Sequence, residues 1–157
     1  MPRLLIPVEA LPGETRVAAT PDTVKKFLSL GCSVVVERGA GCSSGYLDQA
    51  YTDVGAELAS PRDPGAWGQA DLVLCVQAPA PEMLSSMKRQ AVVAGLLSPY
   101  SNGSLASSLQ AGGLSAMALE LLPRISRAQS ADALSSQANI AGYKAVLLAS
   151  SALDRYF

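Results

Sequence analysis

RLLIPVEALPGETRVAATPDTVKKFLSLGCSVVVE, residues 3–37, holds one complete unit of a fold. Its ends, RLLIPV (3–8) and SVVVE (33–37), are apolar runs of strand length. Between them Thr20 stands where an N-cap belongs and Pro21 suits a first helical position. Val24, Phe27 and Leu28 share a face, and Gly31 closes the helix predicted over 21–30. Neither strand alternates apolar with polar residues, which marks strands covered on both faces of a parallel sheet.

Working outward, DLVLCV (71–76), AVVAGLL (91–97) and LSAMAL (114–119) are further strands, each bounded by Gly, Pro or Ser. Helices are predicted over 46–54, 80–89 and 102–111, and a much longer one from between Ser126 and Ser136 to about Tyr156. Alternating strands and helices imply right-handed crossovers, hence an α/β fold: a doubly wound, mainly parallel sheet of Rossmann-like or flavodoxin-like type. SPRDPGAWG (60–68) reads as linker. GAGCSSG (39–45) follows a strand, but it lacks the third glycine of a dinucleotide fingerprint and reads as a tight turn.

Composition removes several function classes. The 157 residues are 49% hydrophobic and 16% charged with a net charge of −1, so the chain buries a core and has no electrostatic draw toward nucleic acid. Histidine is absent, and with it the commonest general base, the commonest zinc ligand and every Ser/His or Cys/His nucleophile pair. Cys32, Cys42 and Cys75 show no CxxC spacing, so no metal site or disulfide framework is expected and a cytosolic setting is. No run approaches the roughly 20 apolar residues that cross a bilayer, and a soluble chain is expected.

PRISRAQSADALSSQANIAGYKAV (123–146) carries only four charges in 24 residues. Projected as a helix, it gathers Gln129, Asp132, Ser135, Ser136, Asn139 and Tyr143 within a third of its circumference, with Ala, Ile, Leu, Val and Gly elsewhere. Such a helix is expected to be buried on most sides. The polar stripe is either the wall of a cleft or a set of small residues that lets a second helix approach, with Ser and Asn bonding back to the chain.

PRISRAQS with DALSSQANIAGY, and the opening that runs from RLLIPV to ERGAG, resemble the N-terminal part of the α subunit of proton-translocating NAD(P) transhydrogenase. ETRVAATP is shared with the related alanine dehydrogenases, and the likeness is sparser over 56–113. The resemblance implies an N-terminal α/β subdomain over 1–125, then a nicotinamide-site segment and connecting helix over 126–157, with a glycine-rich NAD-binding subdomain expected beyond Phe157. It implies hydride transfer between NAD(H) here and NADP(H) on a partner component, coupled to proton translocation by membrane subunits. A homodimer is also implied, cytoplasmic and peripheral to the inner membrane through those subunits. No catalytic acid or base, metal or nucleic acid is implied.

The same resemblance assigns the nicotinamide end of NAD to Arg124, Gln129, Asp132 and Ser135. Arg124 is to donate to ligand oxygens with Asp132 orienting it, Ser135 to meet the carboxamide, and Gln129 to reach a ribose across the component interface. A structural Arg124–Asp132 ion pair is the competing reading. The family has a loop around Gln129, whereas Ser126 with Gln129 reads as a capping box that starts a helix there. Alanine dehydrogenases bind the substrate carboxylate through an arginine matched by Arg16, and they need a lysine and a histidine where this chain has residues near Gln77 and Ser98. Neither shuttles a proton at neutral pH, so an alanine dehydrogenase-like substrate domain is disfavoured. For Arg16 a salt bridge to Glu9 or Glu14 is expected. A truncated, non-catalytic dimerisation module is the remaining alternative.

Overall fold

The structure, a computed structural model, describes residues 1–123 and 125–153, and it divides into two compact units, Met1–Ala118 and Leu119–Phe157. In the first, six strands form one all-parallel sheet: β1 (Arg3–Ile6), β2 (Ser33–Glu37), β3 (Glu57–Ala59), β4 (Leu72–Gln77), β5 (Val92–Leu96) and β6 (Ser115–Ala118). Their order is β3-β2-β1-β4-β5-β6. The chain starts at the centre, winds to one edge and returns to the other side of β1, so the order reverses between β1 and β4. Open α/β sheets bind ligands beside the strand ends at such a reversal.

The crossovers are α1 (Pro21–Ser29), α2 (Asp48–Asp53), α3 (Pro64–Gln69), α4 (Pro81–Ser85) and α5 (Gly103–Gly112). In α1 the Thr20 side chain accepts from the Thr23 N–H at 3.3 Å and Pro21 occupies the first turn, while Gly31 ends the segment with φ +83°. Both halves of that expectation hold, because a cap and a left-handed terminator act locally.

β1 shows why its strands lack alternation. Leu4 and Ile6 pack with Val34, Val36, Val24 and Tyr51 on one face, and Leu5 packs with Val35, Val73, Val93 and Trp67 on the other. Both faces are dry, so every position is apolar. Each such side chain contributes about 1.5–3 kcal/mol by leaving water. Gly41 is forced by the same packing, since a Cβ there would sit 2.7 Å from the Tyr51 ring.

Two elements depart from the sequence reading. β3 was not expected: it is three residues long, sits at a sheet edge, and its ELA has an exposed first position, so it carries no apolar run. The stretch read as linker contains α3, in which Asp63 accepts from the Gly65 N–H at 3.0 Å, Pro64 opens the helix and Trp67 is buried. β1 ends at Ile6 rather than residue 8, before Pro7, which has no N–H for the ladder. The helix predicted over 80–89 stops at Ser85, where the Ser85 and Ser86 hydroxyls both bond back to the Glu82 carbonyl.

The second unit holds a 3-10 turn at Leu119–Leu121, a 3-10 run at Ser126–Ala131 and the helix α6 (Ala133–Ala152), which packs against the first turn. None of the described α6 residues is buried. The expectation that this helix is enclosed on most sides is not met within this chain: Ile140, Tyr143 and Val146 are 61%, 69% and 59% exposed.

Candidate functional site

The polar segment before α6 is neither a continuous helix from Ser126 nor an open loop. Ser126–Ala131 winds as a 3-10 helix with no side-chain cap, so the Ser126/Gln129 capping box does not form. Asp132 then leaves helical geometry with φ −76° and ψ 84° and becomes the N-cap of α6. Its Oδ1 accepts from the Ser135 N–H at 2.9 Å, and its Oδ2 accepts from the Ser135 hydroxyl at 2.6 Å. Its backbone carbonyl accepts from the Ser136 hydroxyl at 3.0 Å. An aspartate three residues before a serine outcompetes the distant capping box because one carboxylate takes both an orphan helical N–H and a hydroxyl.

Of the four residues assigned by resemblance, the structure brings three into one short stretch. Gln129 and Asp132 line a hollow of about 290 Å³ with Pro123, Ile125, Ser126 and Ala128, and Ser135 hangs on Asp132. Arg124 lies outside the described residues. The hollow therefore has an amide and a carboxylate in an otherwise mostly apolar wall, a donor and acceptor set that suits a flat ring bearing a polar substituent.

A second polar network lies at the carboxyl ends of β1 and β4, where the strand order reverses. Arg16 grips Glu14 with two parallel bonds, Nε to Oε1 at 2.7 Å and Nη2 to Oε2 at 2.6 Å, and Gln77 Nε2 donates to the same carboxylate at 3.0 Å. The guanidinium holds the Glu14 carboxyl down to about 2. This is the salt bridge expected for Arg16. Glu9 accepts from the Val76 and Gln77 N–H groups at 2.6 and 3.0 Å, and burial pushes its carboxyl above the usual range despite them. Gln77 and Ser98 share the wall of a second hollow of about 290 Å³ with Leu97 and Asn102. Ser98 adopts φ +48° there.

The sequence reading missed Glu37. It is 0% exposed and ends β2, with its carboxylate accepting from Val8 N–H at 2.9 Å, Arg62 N–H at 2.8 Å and Trp67 Nε1 at 2.8 Å. In a nucleotide-binding crossover the acid at this position meets a ribose. Here it is filled by the chain's own donors and fastens the loop after β1 to α3. An acid closing an apolar strand, with a tryptophan downstream, was the available signal.

Residues 5–141 match the family model described as alanine dehydrogenase/PNT, N-terminal domain. The NAD(P) transhydrogenase subunit alpha of Haemophilus influenzae is 40% identical over 152 residues, which is 97% of this chain and 29% of that protein. The alanine dehydrogenase of Bacillus subtilis is 31% identical over 150 residues, 96% of this chain and 38% of that protein. Among solved structures, a transhydrogenase from Sinorhizobium meliloti superposes with a TM-score of 0.91 at 44% identity, covering 98% of this chain and 45% of that one. The chain thus spans less than half the length of each relative.

Proposed function

Because the chain belongs to the alanine dehydrogenase/PNT N-terminal domain family, we propose that it forms the nicotinamide-side wall of the NAD(H)-binding component of a transhydrogenase. The observation that carries this reading is the Asp132–Ser135 clamp beside the hollow walled by Gln129. NAD(H), when bound, supplies the hydride chemistry, exchanging hydride with NADP(H) on a partner component. The chain's residues only bind and orient, which agrees with a sequence that has no histidine. Gln129 and Asp132 wall the ring's pocket, Ser135 meets the ring substituent, and Arg124 donates to ligand oxygens. Coupling to proton translocation belongs to membrane subunits, with which a homodimer of this component associates; no described helix is long and apolar enough to cross a membrane.

Two observations disfavour alanine dehydrogenase chemistry. Arg16 is already gripped by Glu14, and Gln77 and Ser98 offer no proton shuttle. The test is hydride transfer by this chain joined to the glycine-rich NAD-binding subdomain of a transhydrogenase relative, mixed with an NADP(H)-binding component. Arg124→Ala removes a charge-assisted bond of roughly 1.5–3 kcal/mol, so transfer falls about ten- to a hundredfold. Unchanged transfer per folded molecule overturns the reading and leaves the dimerisation module.

A further inference from the structure

The chain has two asparagines, Asn102 and Asn139, and their surroundings differ in chemistry. Asn139 lies inside α6 and precedes the β-branched Ile140, whose N–H belongs to the helix ladder. Asn102 precedes Gly103 at the turn from β5 into α5, on the wall of the hollow it shares with Gln77 and Ser98. Although Asn102 stands where α5 begins, its side chain makes no cap bond to the helix. Its Oδ1 instead accepts from the Ser104 hydroxyl at 3.0 Å, which draws charge off the carboxamide carbon. The Gly103 N–H has no partner among the described residues, as the first N–H of a helix has none within it. With Asn102 at ψ 78° that nitrogen faces away from the side chain. A half-turn of the peptide plane between the two residues brings it round to Cγ, and breaks one backbone bond, from the Leu105 N–H to the Asn102 carbonyl at 3.2 Å. The same half-turn carries Gly103 to positive φ, which glycine takes without strain, and the space over Gly103 is open.

We propose that Asn102 is a site of spontaneous modification, deamidating through a succinimide to aspartate and isoaspartate at the wall of that hollow. The Gly103 nitrogen attacks Asn102 Cγ and a C–N bond forms. The carboxamide nitrogen leaves as ammonia, taking the proton that Gly103 gives up. Water then opens the cyclic imide at either carbonyl. Opening at the side-chain carbonyl restores the backbone as aspartate. Opening at the main-chain carbonyl routes the backbone through the side chain as isoaspartate, which lengthens the link between β5 and α5 by one carbon. Either product sets a carboxylate where a neutral amide stood, in the wall that holds Gln77 and Ser98. The aspartate form also places its charge at the N-terminus of α5, where the helix dipole favours it.

The test is incubation of the chain in neutral buffer beside a free peptide of residues 98–106. Intact mass, peptide mapping and methyl labelling by an isoaspartyl methyltransferase are read over time. The expected result is a gain of about one dalton and an isoaspartyl label, both confined to Asn102, at a rate within about tenfold of the peptide, because one backbone bond holds the plane. Gly103→Ala fits the open space and a helical φ, so it folds, and it slows the reaction about tenfold or more by opposing the half-turn. A chain slower than the bound set by the peptide, a label that falls equally on Asn139, or a Gly103→Ala chain that reacts at the wild-type rate overturns the proposal.

Discussion

Both oxygens of Asp132 accept hydrogen bonds from Ser135, one from its backbone and one from its side chain. A single residue pair thereby starts α6 and shapes the edge of the hollow, which links a stability effect to a binding effect at the same position. Asp132→Ala is expected to cost about 0.5–2 kcal/mol through the lost cap, with Asp132→Asn and Asp132→Ser milder. Thermal melts followed by circular dichroism rank the three. Equal losses in Ala and Asn would show that charge, not capping, sets the stability.

Glu37 has no comparable freedom. Three donors from separate segments converge on a fully buried carboxylate, and Arg62 holds a left-handed backbone with φ +57° while giving it an N–H. Glu37→Ala strands the buried Trp67 Nε1–H, at a cost of about 1–3 kcal/mol, and takes the acceptor from the part-buried Val8 and Arg62 N–H groups, so the variant is expected to melt well below wild type. Glu37→Gln keeps one accepting oxygen and falls between. Denaturant titration of the three proteins checks the order, and an Ala variant as stable as wild type would remove Glu37 as the fastener of the loop after β1.

The contrast between these two carboxylates shows what could be read in advance. Strands whose two faces are both dry carry an unbroken apolar run, and β1, β2, β4 and β5 were legible for that reason. β3 escaped because an edge strand of three residues needs no such run. Local devices were partly legible: Thr20 and Gly31 act within a few residues, but Ser126 with Gln129 and Asp132 with Ser135 each offered a helix start in one short stretch, and the carboxylate won by taking both an N–H and a hydroxyl. Glu37 stayed hidden because its partners lie 25 to 30 residues away, a distance at which no spacing rule operates.

The exposed apolar residues of α6 lead to a third expectation. Leu134, Ile140, Val146, Leu147 and Leu148 are each at least 40% exposed and are spread around α6, so the helix keeps apolar side chains wet on more than one side. The chain alone is expected to self-associate, and Ile140→Ser with Val146→Ser to shift it toward monomer. Light scattering over a concentration series reads this directly. A monomer at high concentration before any substitution would contradict it.

The Glu14 and Glu9 carboxyls should give the acid stability of the first unit two opposing limbs. Glu14 is held at about 2 in the folded chain against an ordinary 4.5, so its pairing with Arg16 stabilises fully above pH 4.5 and is lost as pH falls from there toward 2. Glu9 runs the other way: burial raises it above 4.5, so its protonated form favours the fold below pH 4.5 and that contribution is lost as pH rises through its raised value. The stability gap between wild type and Glu14→Gln should therefore close as pH drops from 5 toward 2, roughly, over the interval between the two states of Glu14. Glu9→Gln should compare more favourably with wild type above its raised value than below 4.5, because the amide carries no charge to desolvate. Urea titrations across that pH range measure both gaps. A Glu14→Gln gap that stays constant would mean that the Arg16 bonds act by shape alone, with no contribution from the charge on Glu14.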